Sequence, residues 1–491
     1  MSGLFHIYNY NMTYNYNMTP RNSRHKSAVR RGLDRFLAWR ETHISDKAFL
    51  FILATVVGLL AGTGAFILKR LVAAVSKLLT SHFTTDGANW WLLVIPLAGI
   101  VLTGIFCRYI MHANLSNGTD QLIHDLKNKM YKLKSYITFS PILASSITLG
   151  FGGSAGSEGP IAYTGAAIGS NLARVCRMSP HLMMIMLGCG AGAGIAGIFK
   201  SPLGGALFTL EVLRMPLTTL SVLVLLVTVV TAAMTAFALS GFTLDIPFDG
   251  GTGFDAGLFP YIILLGVFCG FYSLYYSYIM KKVAKLLSYL RNPWVKNVIA
   301  GAVLSGLVFL FPTLYGEGYA TIGKIINGNF TTILNDSLFA GGNGSWLLIL
   351  VTGGTILAKC FATSVTNNGG GVSGNFAPTL FAGCMAGFFF ASFLNTLFGL
   401  HLPVAHFAFY AMAGVMAGAI RAPLMAMFLT CEMGGAYAYF LPLMATAAIS
   451  FGIVRLFTAD SYFSHHLDRD NGLLEQMKRE QEAAEGKKTR S

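Results

Sequence analysis

Between Ala48 and Leu68 the chain reads AFLFILATVVGLLAGTGAFIL, with no charged residue. About 20 apolar residues in a row is what an α-helix needs to cross the hydrocarbon core of a bilayer. Comparable runs follow at 91–105, 217–241, 261–271, 346–357, 376–400, 407–420 and 441–454. Lipid cannot satisfy exposed backbone groups, so only helices or a closed barrel span it. Barrel strands would alternate polar and apolar residues, and these runs do not. By length alone 491 residues would allow three soluble domains, but 54% apolar against 11% charged residues excludes that reading. The expected fold class is an all-α polytopic membrane protein.

The net charge of +14 raises nucleic acid as a partner. Much of that charge lies in tails and between spans rather than on a basic face, so no nucleic-acid partner is expected. Residues 1–47 carry eight Lys and Arg against three acids and end at the first span, which makes this tail cytoplasmic by the positive-inside rule. Leu33, Phe36 and Leu37 at helical spacing among Arg30, Arg31 and Arg35 suit an interfacial helix on anionic lipid. A solvated charged tail is the alternative. No cleavable signal segment is expected before Ala48, and no soluble regulatory domain after Asp460. The seven cysteines are scattered through apolar stretches without a CxxC or a Cys/His cluster, and none of the eleven histidines forms HExxH. The cysteines read as buried small hydrophobes, and no metal or other cofactor is expected. An intramembrane hydrolase would need a nucleophile paired with a base; His465 and His466, at the end of the last helix, read as interfacial instead.

The chain repeats itself. AGIFKSPLGGALFTLE at 196–211 matches AGAIRAPLMAMFLTCE at 417–432, and upstream GGSAGSEGP at 152–160 matches GGVSGNFAP at 370–378. Two matched blocks in the same order predict two homologous halves, 48–240 and 259–458. Glycine- and proline-interrupted apolar segments at corresponding positions point to a binding site where the halves meet.

The first break, LGFGGSAGSEGPI at 149–161, holds five glycines and cannot be a helix interior. Its Gly-Pro opens a helical run, so backbone N–H groups and the positive dipole end would face an anion there. Glu158 at this break is an ionisable residue inside an apolar region, a surrogate for an anion and a candidate gate. Alternatively it caps its own helix or pairs with a cation. The second break, GGGVSGNFAP at 369–378, would aim further amides at the same place, with Phe376 where the first half has Glu158. A third polar stretch, HANLSNGTD at 112–120, is by default a plain loop, since Asn-Gly is an ordinary turn; a helix start there would offer Asn117 and Gly118. Glu211 and Glu432 recur in both halves and are expected to bond neighbouring backbone.

These residues resemble the CLC family of chloride channels and chloride/proton exchangers. The likeness runs over about 51–467 and rests on three motifs: GSEGP at 156–160, GNFAP at 374–378 and the Pro-to-Glu helix at 202–211. It implies inverted halves with broken helices meeting at an anion site, and a homodimer with one pathway per subunit. It also implies Glu158 as the gating glutamate and the amides of Asn375 and Phe376 as anion ligands. Gly118, Gly156, Ser157 and Gly159 join these as candidate anion-binding positions. The chain also departs from the family pattern. Asn117 stands in place of the anion-contacting serine, where its amide N–H still donates. Ser157 replaces the basic residue before the gate, and the anion-contacting tyrosine falls on Phe463, with Tyr462 one residue off. Val212 stands at the inner proton-relay position, where proton-coupled members commonly have glutamate. The resemblance therefore implies channel-like chloride conduction gated by Glu158 or, as the alternative, proton/chloride exchange using Glu158 as the external switch. Selectivity among chloride, nitrate and fluoride is open at this stage. A prokaryotic inner membrane with both termini cytoplasmic is the expected location.

Overall fold

The computed structural model describes residues 32–458 apart from 33–34, 36–37, 41, 82–88, 114, 116–117, 216–217, 251–254, 331–332, 335–336 and 340–343. The expected interfacial helix around Leu33, Phe36 and Leu37 therefore lies outside the described residues, as do Asn117, Tyr462, Phe463, His465 and His466. The chain divides into two compact units, Met1–Phe49 and Leu50–Ser491. In the first, Trp39 stacks on His43 with ring centroids 5.1 Å apart, and the Arg40 guanidinium lies 4.3 Å from the centroid of the Phe49 ring.

Sixteen α-helices are described. The first half holds α1 (Asp46–Thr80), α2 (Ile95–Ile105), α3 (Gly118–Lys127), α4 (Ser140–Gly150), α5 (Glu158–Val175), α6 (Pro180–Phe199), α7 (Pro202–Leu207) and α8 (Thr219–Leu239). The second holds α9 (Phe259–Ser288), α10 (Pro293–Leu310), α11 (Tyr319–Ile326), α12 (Ser345–Asn368), α13 (Phe376–Phe398), α14 (Val404–Ile420), α15 (Pro423–Gly434) and α16 (Phe440–Phe457). Among the described residues nine helices are long and apolar enough to cross a membrane. The stretch at 112–120 is not a plain loop, because Gly118 opens α3. The Asn-Gly pair is followed in sequence by TDQLIHDLK, whose Leu122 and Ile123 are buried, and that burial turns a turn signal into a helix start.

Starts and stops follow local chemistry. Ser179-Pro180, Ser201-Pro202 and Asn292-Pro293 each place a capping side chain before a proline at the first helical position. Lys200 and Arg421, at equivalent places in the repeat, end α6 and α14 in the left-handed conformation at φ 54° and 62°.

The two halves pack by the same device. In α5, a methyl on Gly165 would lie 2.1 Å from the Gly190 carbonyl oxygen, and one on Gly169 would lie 2.0 Å from that of Met186. In α13 the equivalent Gly383 and Gly387 would meet the carbonyl oxygens of Ala411 and Phe407 at 2.4 and 2.2 Å. Both are small-xxx-small seams that let helix backbones touch without a side chain between them, the usual glue where lipid supplies no hydrophobic drive.

Contacts between the halves are reciprocal. Glu432 accepts from the amides of Leu203 and Gly204 at 3.0 and 3.1 Å, while Glu211 accepts from those of Leu424 and Met425 at 3.3 and 2.8 Å. Each glutamate thus caps the helix that the other half begins at Pro202 or Pro423, as expected for a backbone-bonding role. A contact and its mirror image both being present is the signature of a pseudo-twofold pair.

Gly165→Leu and Gly383→Leu are each expected to abolish recovery of a monodisperse protein in detergent. Gly306→Leu, with nothing within 4 Å of the added carbon, should leave the size-exclusion profile unchanged.

Candidate anion site

Gly156 and Gly374 form an isolated antiparallel pair, exchanging N–H···O=C bonds of 3.0 and 2.6 Å. This pins the loop that opens α5 against the loop that opens α13. Two more reciprocal bonds flank it: the Ser154 amide donates to Thr366 Oγ1 at 3.2 Å, and the Val372 amide to Thr148 Oγ1 at 3.0 Å. Gly152 and Gly370, at φ 91° and 114°, turn the two loops into place, a conformation that favours glycine. The start of α3 joins them, since a methyl on Gly118 would lie 2.3 Å from the Gly159 carbonyl oxygen. Three helix N-termini therefore meet at one buried point.

Glu158 lies there with 0% exposure. Its Oε1 accepts from the Ala377 amide in the first turn of α13, and its Oε2 has no protein partner. The carboxylate thus reaches the helix start of the opposite half. Glycine is obligatory around it, because a methyl on Gly156 would sit 2.0 Å, and one on Gly374 2.8 Å, from Oε2. Two more buried polar atoms at this junction lack protein partners, Thr119 Oγ1 and Asn375 Nδ2. Both are donors, and native interiors rarely leave donors unmet. Amides, a hydroxyl and an amide NH₂ converging on one point fit a small anion.

The structure brings together Gly118, Gly156, Ser157, Glu158, Gly159, Asn375 and Phe376. Phe376 is fully buried, and Phe208 approaches its ring edge-on with centroids 5.6 Å apart. Val212 is apart from this cluster in the helical turn after α7, buried and apolar. Six of the seven cysteines are buried and all are free, in line with their reading as small hydrophobes.

Sequence reasoning passed over three residues. Lys359 is fully buried in α12, donates to Ser154 Oγ at 2.9 Å and lies 4.6 Å from the centroid of the Phe381 ring. Its signal was available as a lone charge in an apolar helix. Glu317 accepts from the amide and hydroxyl of Ser157 at 3.0 and 2.6 Å, and Asn367 donates to Asn375 Oδ1 at 2.5 Å. Neither carried a sequence signal, because each acts across more than one element or beside a glycine turn.

Two cavities approach the junction. One of about 800 Å³ is lined by Arg108, His112, Asp120, Lys296 and Asn367. The other, about 530 Å³, is lined by Lys69, Arg70, Lys200, Asp245 and Glu317. In the second, Asp245 bonds Lys69 and, at 2.9 Å, Lys200. Both linings hold more Lys and Arg than carboxylates, which concentrates anions.

The family profile described as voltage-gated chloride channel matches residues 99–455. The chain belongs to the CLC family. It is 26% identical over 397 residues to a putative chloride channel protein, ClcB-like, of Ralstonia nicotianae, covering 79% of this chain and 88% of that one. It is 24% identical over 456 residues to an H(+)/Cl(-) exchange transporter, ClcA, of Vibrio cholerae, covering 89% and 92%. Among solved structures, a slow cyanobacterial Cl-/H+ antiporter superposes with a TM-score of 0.71 at 22% identity, covering 86% of this chain and 97% of that one. A CLC-type fluoride/proton antiporter gives 0.69 at 21%, covering 83% and 95%. The fold expected from the sequence, a polytopic helical membrane protein of this family, is the one found.

Lys359→Met should keep the size and shape of the fold, since Met fills the volume, but remove the only positive side chain bonded to the loop before Glu158 among the described residues. Chloride affinity measured by calorimetry in detergent is expected to fall by roughly tenfold or more.

Proposed function

We propose that this protein moves a small anion, chloride in the first instance, across a membrane, with Glu158 as the gate. One observation carries the reading: a carboxylate occupies the Ala377 amide at the point where three helix starts converge. That carboxylate stands in for the transported anion, and passage requires it to leave. The amides of Gly118, Gly159, Asn375, Phe376 and Ala377 would hold the ion, with Asn117 and Tyr462 or Phe463 contributing from outside the described residues. The expected amides of Gly156 and Ser157 are taken instead by the Gly374 carbonyl and Glu317. Transport, and not catalysis, is the activity.

Channel-like conduction is supported by Val212, since an apolar side chain directly after Glu211 leaves no carboxylate at the inner relay position. Proton/chloride exchange is the second reading, supported by the exchange transporter of Vibrio cholerae and the antiporter structures named above. In either mode residues 48–458 form the transmembrane domain, with 1–47 and 459–491 as cytoplasmic tails. The protein would work as a homodimer in a prokaryotic inner membrane.

The test is flux from proteoliposomes loaded with potassium chloride, followed at once by chloride and pH electrodes. Chloride efflux without proton movement is expected for conduction; uphill proton movement driven by the chloride gradient would replace that mode with exchange. Absence of chloride movement, with fluoride and nitrate also immobile, would sink the transport reading. Glu158→Gln should make flux independent of pH, because the substituted side chain has no proton to lose.

A further inference from the structure

Among the described residues, seven α-helices have Ser, Thr or Asn at their N-cap, the residues that normally accept from the second or third helical amide. Five do so. Ser45 accepts from Ala48, Ser179 from Leu182, Ser201 from Gly204, Thr218 from Ser221 and Asn292 from Trp294, at 3.3, 3.3, 3.1, 3.1 and 2.9 Å. The remaining two are α5 and α13, the helices that carry Glu158 and Phe376, and neither is capped by its own Ser157 or Asn375.

In both cases the N-cap backbone is helical, Ser157 at φ −89°, ψ −4° and Asn375 at φ −110°, ψ −5°, where Ser179, Ser201, Thr218 and Asn292 are extended. The side chain is held by a partner outside its helix. Ser157 Oγ donates to Glu317 Oε1 at 2.6 Å, and its backbone amide donates to the same oxygen at 3.0 Å. On α13, Asn375 Oδ1 accepts from Asn367 Nδ2 at 2.5 Å, and Asn367 Oδ1 is itself held by the Ser373 hydroxyl. The diverted caps matter because of which amides they would have claimed. Ala377 is the second residue of α13, the natural partner of an Asn375 cap, and its N–H is the one that Glu158 takes. On α5 the third residue is Pro160, which has no N–H, so Gly159 is the single amide that a Ser157 cap could claim.

We propose that Glu317 and Asn367 are positioning residues that hold Ser157 and Asn375 away from their own helices. The first-turn amides of Gly159 and Ala377 are thereby kept open to the anion and to the Glu158 carboxylate that competes with it. The idea rests on the anion-site reading above. It deepens that reading by assigning anion affinity to two residues outside the site, each acting through an N-cap.

The experiment uses the full chain in proteoliposomes and in detergent, with potassium chloride as probe, chloride affinity by calorimetry and chloride flux by electrode. Glu317→Ala frees the Ser157 hydroxyl and should lower chloride affinity by roughly tenfold, as expected for loss of one hydrogen bond to a charged group. Adding Ser157→Ala removes the competing cap and should restore affinity and flux to near the parent values, while Ser157→Ala alone changes little. Glu317→Gln keeps an acceptor oxygen and should behave as the parent. Asn367→Ala, with rescue by the conservative Asn367→Gln that keeps an amide donor, repeats the test on α13 and stands if the first variant does not fold. Loss without rescue in a monodisperse protein would overturn the proposal, as would full chloride affinity in both Glu317→Ala and Asn367→Ala. Failure of the anion-site reading looks different, because the parent protein itself would then bind and move no chloride.

Discussion

Two glycines exchanging two backbone hydrogen bonds hold this structure's functional centre together. Gly156 and Gly374 belong to loops far apart in sequence, and their pairing fixes where α5 and α13 begin relative to each other. The flanking bonds from Ser154 to Thr366 and from Val372 to Thr148 repeat the arrangement with the halves exchanged. Side chains at either glycine would collide with the Glu158 carboxylate, so close backbone approach and placement of that carboxylate are one constraint. The glycine seams of Gly165 with Gly169 and Gly383 with Gly387 let α6 and α14 support the two helix starts from behind.

The electrostatic outcome follows from what those helix starts lack. Every helix begins with amides that have no intrahelical partner, and the protein usually satisfies them with a cap. Here Ser157 and Asn375 bond Glu317 and Asn367 and cap neither helix, and a carboxylate from the other half reaches the Ala377 amide. Buried donors in a low-dielectric interior attract negative charge far more strongly than they would in water. On the proposed function, Glu158 and a small anion compete for the same amides. The basic linings of the two cavities bring anions towards that competition.

Much of this was legible in the sequence, and the boundary is physical. Uncharged runs revealed the spans, the repeated blocks revealed the halves, and Glu158 among glycines revealed a carboxylate at a broken helix, because each is a local pattern. Glu211 and Glu432 were rightly read as backbone-bonding, although their reciprocal reach into the opposite half needed the fold. The stretch at 112–120 was misread as a plain loop because an Asn-Gly pair looks the same whether a loop or a helix follows, and the burial of Leu122 and Ile123 decides between them. Glu317 and Asn367 were missed because their importance lies in the partners they take, Ser157 and Asn375. Capping residues look identical in sequence whether they cap or not.

The central claim is that the first-turn amides of α13 form an anion site which Glu158 fills in its place. The most direct test is a crystal structure of the Glu158→Gln protein grown in bromide, with bromide located by its anomalous scattering. The account requires a bromide peak within hydrogen-bonding distance of the Ala377 amide, beside Gly156 and Gly374. Ordered bromide elsewhere in the molecule with none at that amide would contradict it.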